Sequence, residues 1–391
     1  MTPVREGKVL YSKIKYVYHL SRVFCLMPLS ISLDPTGCLI LKSDFKSNCF
    51  SFLWMLFVMA MVSVTFVSFL MLHAKLNLQF ASDFINASVN WPLSFLLCFI
   101  SIIELIYKRN DLLVALQHIR NCDSVVKISA KCNTFSKVQI ILFFMFIILV
   151  TVDLYLYEEE INAFTVLFRI PHLINIVFSI QFTVLVKLLS EKLFAISNYI
   201  VSNFECAPSL EKNLKLFTPS LLLVSDVQVL NIRKAYHDIY KASKIISSVY
   251  ASNVLVYICR LAFSLVTIAF KVVKICEGLS REALFYKSLT PGQEFAYILV
   301  WIIAFVLILV HITYICQVAK SGWSQVLENI HECILYSYLN RDALKQMKMF
   351  SSQASTNKIQ FVGLWVFNLD MSMFFTIMAT VFTYLMVLRQ L

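Results

Sequence analysis

Apolar residues gather along this chain into seven long blocks separated by polar stretches, and that pattern predicts its elements. The blocks cover Phe50–Leu72, Val89–Ile106, Val138–Tyr157, Ala163–Leu189, Ser248–Val273, Phe295–Ala319 and Phe361–Leu388. Each reaches or approaches the ~20 residues with which a helix crosses about 30 Å of hydrocarbon. No block alternates with period two, so a β-barrel is not expected. Residues 1–22 are basic and lack an apolar h-region, so no cleavable signal peptide is expected ahead of the first block. The expected fold is an all-α integral membrane protein with seven transmembrane helices.

The polar stretches carry patterns of their own. Val227, Leu230, Ala235, Ile239, Ala242 and Ile246 recur at three- to five-residue steps, which predicts that the fifth helix extends beyond the membrane with one apolar face. Val326, Ile330, Ile334 and Leu335 form a similar stripe within Gly322–Leu339. Such stripes need cover, and packing between subunits beneath the membrane would supply it. Pro291-Gly292 predicts a turn before the sixth block. No Pro/Gly/Ser-rich linker divides the blocks and no internal repeat is visible. The chain therefore divides into a cytoplasmic segment (1–49), a six-helix bundle (50–319), a cytoplasmic anchor region (320–360) and a last helix (361–391).

Composition agrees with the blocks. Of 391 residues, 59% are hydrophobic and 15% charged, with a mean hydropathy of +0.75, where soluble chains are about a quarter charged. Charge then orients the helices. Twenty-five of the 34 Lys and Arg fall in the first segment and in every second connection, six on the opposite side and three within blocks. Glu158-Glu159-Glu160 also lies on the Lys/Arg-poor side. Basic residues collect on the cytoplasmic face, so the N-terminus is expected inside and the C-terminus outside. That arrangement opposes a G-protein-coupled receptor, whose N-terminus lies outside. The net charge of +11 is accounted for by membrane lipid at the cytoplasmic face, with no nucleic-acid partner. Seven cysteines (Cys25, Cys38, Cys49, Cys122, Cys132, Cys206, Cys333) fall on that face, where thiols are expected to stay reduced.

Enzyme chemistry finds no support. The six glycines are scattered, His331-Glu332-Cys333 lacks the second histidine of a zinc helix, and no Cys-x-x-Cys pair occurs. No metal, cofactor or catalytic residue is expected.

Two groups of residues are candidates for function. Thr376, Thr380, Thr383, Val387 and Gln390 are spaced by four, three, four and three residues, so they share one face of the last helix. Hydroxyls on one face suit a water-filled path; they equally suit bonds back to the i−4 carbonyl and packing against neighbours. The second group sits in the outer half of the bundle: Asp153 and Tyr157 end the third block, and Arg169, His172 and Asn175 open the fourth. Trp91 opens the second, and Tyr297 and Trp301 open the sixth. An ionisable residue at membrane depth marks a functional site by default. The alternative readings are an Asp153–Arg169 pair and aromatic anchors at the membrane interface. Arg260 and His311, within blocks, are expected to find internal partners.

The end of the chain resembles a known signature. Thr383-Tyr384, a run that is apolar up to Leu388, then Arg389, Gln390 and Leu391 resemble the tail of insect gustatory receptors, which runs Thr-Tyr, five apolar residues, Gln, Phe. Phe367-Asn368-Leu369-Asp370 stands where that family places a similar block. Leu230, Tyr236, Ile239 and Tyr250 match a looser pattern entering the fifth helix, although Ser247 replaces the usual Asn. Arg389 and Leu391 depart from the tail, and Leu388-Arg389-Gln390 is similar to the tail of the related odorant-receptor branch. Leu385 stands where sugar-sensing relatives carry an acid.

The resemblance implies a ligand-gated, non-selective cation channel subunit of the plasma membrane, acting as a gustatory chemoreceptor for a small-molecule tastant. An odorant-branch subunit is the alternative. It further implies a homotetramer, or a hetero-oligomer with related receptors, whose last helices surround the pore. Thr376, Thr380, Thr383 and Tyr384 would then line the path, and Val387, Gln390 and Leu391 would close it.

Overall fold

The computed structural model describes residues 11, 14–22, 30–33, 39–42, scattered helical positions between 53 and 67, then 91–125, 137–156, 163–204, 226–276, 291–336, 339–363 and 367–390. Trp91, Asp153, Arg169 and Gln390 are described in their backbone only. Residues 14–22 are helical, and from Trp91 onward eight helices follow one another: α1 (Trp91–Tyr107), α2 (Arg109–Val125), α3 (Lys137–Leu156), α4 (Ala163–Phe204), α5 (Asp226–Cys276), α6 (Pro291–Tyr336), α7 (Arg341–Thr356) and α8 (Met371–Gln390). Strands β1 (Ser30–Leu33) and β2 (Leu39–Lys42) pair antiparallel, as do the two-residue strands β3 (Val362–Gly363) and β4 (Phe367–Asn368).

Where described, the apolar blocks become helices, and three of these run well beyond the ~20 residues that cross a membrane. Stretches of α4, α5 and α6 (Pro171–Phe204, Asp226–Val273, Phe295–Leu335) are long and apolar enough to span; α1, α3 and α8 contribute shorter apolar stretches. Positions 53–67, within the first block, are helical where described. α4 has 42 residues, α5 51 and α6 46, so α5 measures about 76 Å at about 1.5 Å per residue. Their polar ends lie at the same end of the bundle and form a second layer there with α2 and α7, called the extended layer below.

α4 is the central post. In its most apolar window 89% is buried, against 50% in α5 and 33% in α6. Pro171 lies inside α4 without ending it, as neighbouring helices permit in membranes. α4 and α6 run parallel and come close where Gly322 faces Leu193. A Cβ on Gly322 would sit 3.2 Å from that of Leu193, so a side chain there would need its neighbour to give by a few tenths of an ångström. Below that point Asn329 Nδ2 donates to Ser197 Oγ at 2.7 Å, satisfying both in a buried site.

The extended layer corrects one expectation. Ala235, Ile239, Ala242 and Ile246 on α5, and Val326 and Ile330 on α6, are fully buried within this single chain. α2 covers the α5 face with Leu112, Ala115, Leu116, Ile119 and Cys122. α7 adds Ala343, Met347, Phe350 and Ala354. Only the ends of the stripes, Val227 and Leu335, stay exposed. The stripes therefore do not require a neighbouring subunit, because helices the pattern had left as connections cover them.

Three further differences have local causes. The last helix begins at Met371 rather than Phe361: residues ahead of it form the β3–β4 hairpin, with Leu369 N–H donating to Phe361 C=O at 2.9 Å. Gly363 allows this, since a Cβ there would stand 3.1 Å from the Phe367 ring. Pro291 opens α6 as its first residue instead of turning the chain before it, a position where its missing N–H costs nothing. Cys333, expected as a free thiol, is disulfide-bonded, while Cys98, Cys259 and Cys316 are free.

Candidate functional site: the last helix and the polar junction behind it

α8 leaves the N-terminal end of its apolar run at the extended layer, and its first turn is built to hold there. Asp370 accepts from Met373 N–H and from Lys320 Nζ of α6, the latter at 3.0 Å. Thr313 of α6 reaches Met371 sulfur at 3.5 Å. The carboxylate thus stabilises the helix N-terminus and a neighbouring helix together. The segment feeding this joint is fixed too. Tyr236 Oη donates to Asn357 C=O at 2.7 Å, and Trp323 Nε1 donates to Ala354 C=O at 3.0 Å. Burial pushes the Tyr236 hydroxyl well above the usual tyrosine range, an effect that Trp323 opposes and Tyr240 adds to. It therefore remains a donor.

Beyond its first turn α8 is scarcely covered. Met373 and Val381 are buried, with Ile377 and Leu385 partly so, and these mark the one face turned to the bundle. The opposite side exposes two lanes: Phe375, Phe382 and Met386 on one, and Thr376, Thr380, Thr383 and Val387 on the other. Tyr384 is exposed as well. Each threonine hydroxyl donates to the carbonyl four residues back, at 3.0, 2.8 and 2.9 Å for Thr376, Thr380 and Thr383. These bonds spend the hydroxyl proton on the helix but leave oxygen lone pairs turned outward. Gln390 is the last residue of α8; Leu391 lies outside the described residues.

The second group of candidates comes together only in part. His172 and Asn175 stand one turn apart on α4. Arg260 of α5, 4% exposed, donates from Nη2 to His172 Nδ1. Asn175 Nδ2 donates to the Ser94 carbonyl of α1 at 3.4 Å. Tyr257 of α5 lies against Ser179, one turn below Asn175. The result is a buried polar junction of α1, α4 and α5 at the end away from the extended layer. Asn175 Oδ1 and Ser94 Oγ there have no hydrogen-bond partner. Tyr297 and Trp301 form a separate aromatic group, Trp301 lying 5.6 Å from Phe146 of α3 and 5.4 Å from Phe305 between ring centroids. Trp91, Asp153 and Arg169 fall in α1, α3 and α4, their side chains beyond description, and Tyr157 lies outside the described residues. The expected partner for Arg260 is present as His172; His311, in contrast, has an Nε2 without a partner.

Sequence reasoning missed Lys320 and Tyr236 as parts of the joint that holds α8. Lys320 read as one more cytoplasmic charge, and Tyr236 entered only as part of a pattern. Among the described residues no group of His, Cys, Asp and Glu could hold a metal ion.

Comparison with known proteins agrees with this architecture. The fold is similar to that of the insect olfactory receptor OR5 from Machilis hrabei, with a TM-score of 0.69 at 12% identity, covering 97% of this chain and 98% of that one. The structure of the same receptor in complex with eugenol gives a TM-score of 0.64 at 13% identity, with the same coverage. No curated protein matches in sequence. The model of one family, 7tm Chemosensory receptor, matches residues 14–391. A multi-pass helical chain matched over that length belongs to the 7tm chemosensory receptor family.

Proposed function

We propose that this chain is a subunit of a ligand-gated, non-selective cation channel, in which the Thr376–Thr380–Thr383–Val387 lane of α8 lines the conduction path. The observation that carries the reading is the coverage of α8. A membrane helix with one lane of hydroxyls and one of large apolar residues, both open in the single chain, suits a ring of copies with the polar lane turned to water. Four copies follow from the resemblance to insect gustatory receptors, as a homotetramer or a hetero-oligomer with related receptors. The N-terminus and the extended layer lie in the cytoplasm of this plasma-membrane protein and the C-terminus outside. The distribution of Lys and Arg supports that orientation.

The ligand is a small molecule that enters the outer half of the bundle near His172, Asn175, Tyr297 and Trp301. The structural relative in complex with eugenol supports a small organic ligand. The tail motif favours a gustatory role. A second reading, an odorant-branch subunit, draws on Leu388-Arg389-Gln390 and on the structural likeness to an olfactory receptor.

Single-channel recording tests the pore. A ring of branched apolar side chains closes a path by dewetting, so Val387→Ser raises ligand-independent current. Gln390→Ala changes conductance or basal opening more than ligand potency. If both variants conduct and gate like the parent, α8 does not line the path.

A further inference from the structure

The open face of α5 changes character where the helix enters the membrane. Lys241, Lys244, Ser248, Ser252, Leu255 and Cys259 follow one another at steps of three or four residues, so they share one face. Lys241, Lys244, Ser248 and Cys259 are exposed, Ser252 and Leu255 partly so. The fifth apolar block begins at Ser248. On the extended-layer side of that residue the lane is basic; on the membrane side it turns apolar after Ser252. From Ser248 to Cys259 it runs about 16 Å, half of the ~30 Å of hydrocarbon.

A third ammonium joins the lane from the joint between α1 and α2. Lys108 Nζ donates to the Ser248 carbonyl at 2.8 Å and to Glu104 Oε1 at 3.1 Å, which uses two of its three donors. Glu104 in turn accepts from Asn253 Nδ2 of α5 at 2.7 Å, so Lys108 is held in place. Lys241 and Lys244 have no such hold. Among the described residues no ion pair or side-chain hydrogen bond engages either. Asp238, one turn before Lys241, is bonded to His118 of α2 at 2.8 Å. Asp111 of α2, which the Lys108–Ser248 and His118–Asp238 pairings put at this level, makes an ion pair with neither lysine.

We propose that Lys108, Lys241 and Lys244 bind the headgroup of a membrane lipid that carries several phosphates, a phosphorylated inositol lipid, with an acyl chain along Ser252, Leu255 and Cys259. Lysines clustered just outside a membrane helix attract anionic lipid, and their placement decides which. Lys241 and Ser248 are about 10 Å apart along the helix. One phosphate cannot meet all three ammonium groups, whereas a ring bearing phosphates opposite its phosphodiester can. Ser248 adds a hydroxyl between them. The switch from basic to apolar at Ser248 matches the switch from headgroup to chain. The site is open to solvent and lipid: Lys241 and Lys244 are exposed, and the Lys108 side chain is 24% exposed. On the proposed orientation it faces the inner leaflet. It does not depend on the channel reading.

Titration of the full chain in mild detergent, read by native mass spectrometry, tests it. The probes are dioleoyl phosphatidylinositol bisphosphate, dioleoyl phosphatidylserine, dioleoyl phosphatidylcholine and soluble inositol trisphosphate. The bisphosphate lipid binds most tightly of the four. Phosphatidylserine or phosphatidylcholine binding as tightly overturns the polyphosphate headgroup, and inositol trisphosphate binding as tightly overturns the lipid. Lys241→Gln with Lys244→Gln lowers affinity for the bisphosphate lipid about thirtyfold, the effect of two lysines lost at a membrane surface. Lys241→Arg with Lys244→Arg keeps it. Lys234 is exposed on α5 about 20 Å from Ser248, beyond a headgroup's reach, and Lys234→Gln leaves affinity unchanged. An affinity unmoved by the double Gln variant, or lowered as much by Lys234→Gln, overturns the site.

Discussion

The joint beneath the last helix depends on single atoms. Tyr236 is 0% exposed, and its hydroxyl donates to Asn357 C=O just ahead of the segment that leads into the hairpin. Removing that hydroxyl leaves a half-buried carbonyl short of one donor, which costs about 1 kcal/mol. Removing the ring costs about 3–5 kcal/mol, because Phe350, 5.5 Å away between centroids, loses its partner. Tyr236→Phe is therefore expected to lower the thermal midpoint of the detergent-purified protein modestly, and Tyr236→Ala far more. A Tyr236→Phe protein melting like the parent would show that the hydroxyl does not hold this joint. The polar junction at the other end works in a different way. Arg260 and His172 satisfy each other, while Asn175 Oδ1 and Ser94 Oγ keep unused capacity next to them. A helical stripe can predict a polar residue at depth; it cannot say which atoms remain unspent. That is why His172 and Asn175 were legible as candidates and Arg260 read only as a residue in need of a partner.

At the scale of elements, legibility followed the strength of the apolar signal. α4, α5 and α6 were readable because long apolar runs continue into stripes with helical spacing. The hairpin was not, because Phe361, Val362, Val366 and Phe367 are as apolar as a membrane helix, and only Asn368 and Asp370 mark the break. α2 was missed for the opposite reason: its buried lane is interleaved with enough Asn, Asp and Arg to pass for a connection. What neither pattern contains is the partner of Asp370, since Lys320 is 50 residues away. The Lys320 side chain is 44% exposed and that of Asp370 15%, so the pair contributes about 0–1 kcal/mol to stability. It joins α6 to a helix whose far end is largely exposed. Lys320→Gln or Asp370→Asn should leave surface expression intact and shift the balance between closed and open states, by up to about fivefold for 1 kcal/mol. The exchange Lys320→Asp with Asp370→Lys should return it toward the parent value. Macroscopic currents at zero and saturating ligand read this directly. Equal basal activity in all three proteins would remove the pair from gating.

For the whole molecule, the extended layer sets the topology question. Among the described residues Arg233, Lys234, Lys241, Lys320, Arg341, Lys345 and Lys348 lie in that layer, and on the proposed orientation it is the cytoplasmic face, where basic residues collect. An epitope tag before Met1 should stay unstained on intact cells and become accessible on permeabilisation, with a tag after Leu391 doing the reverse. Staining of the N-terminal tag on intact cells would restore the G-protein-coupled arrangement. The same layer contains α2 and α7 and buries its own stripes, so these faces need no neighbouring chain to cover them.

That self-sufficiency has a genetic consequence. Nearly all of the buried core precedes α8, which adds Met373 and Val381 to it. A nonsense mutation replacing Met371 should thus yield a stable, membrane-inserted product instead of one cleared by quality control. On the tetramer reading, such a product joins assemblies and leaves each with a gap in its wall. The allele would act dominantly: co-expression with the full-length chain should cut agonist-evoked current by more than its share of total protein. A truncated chain that is degraded, or that merely dilutes the current in proportion, would show that α8 is needed before assembly.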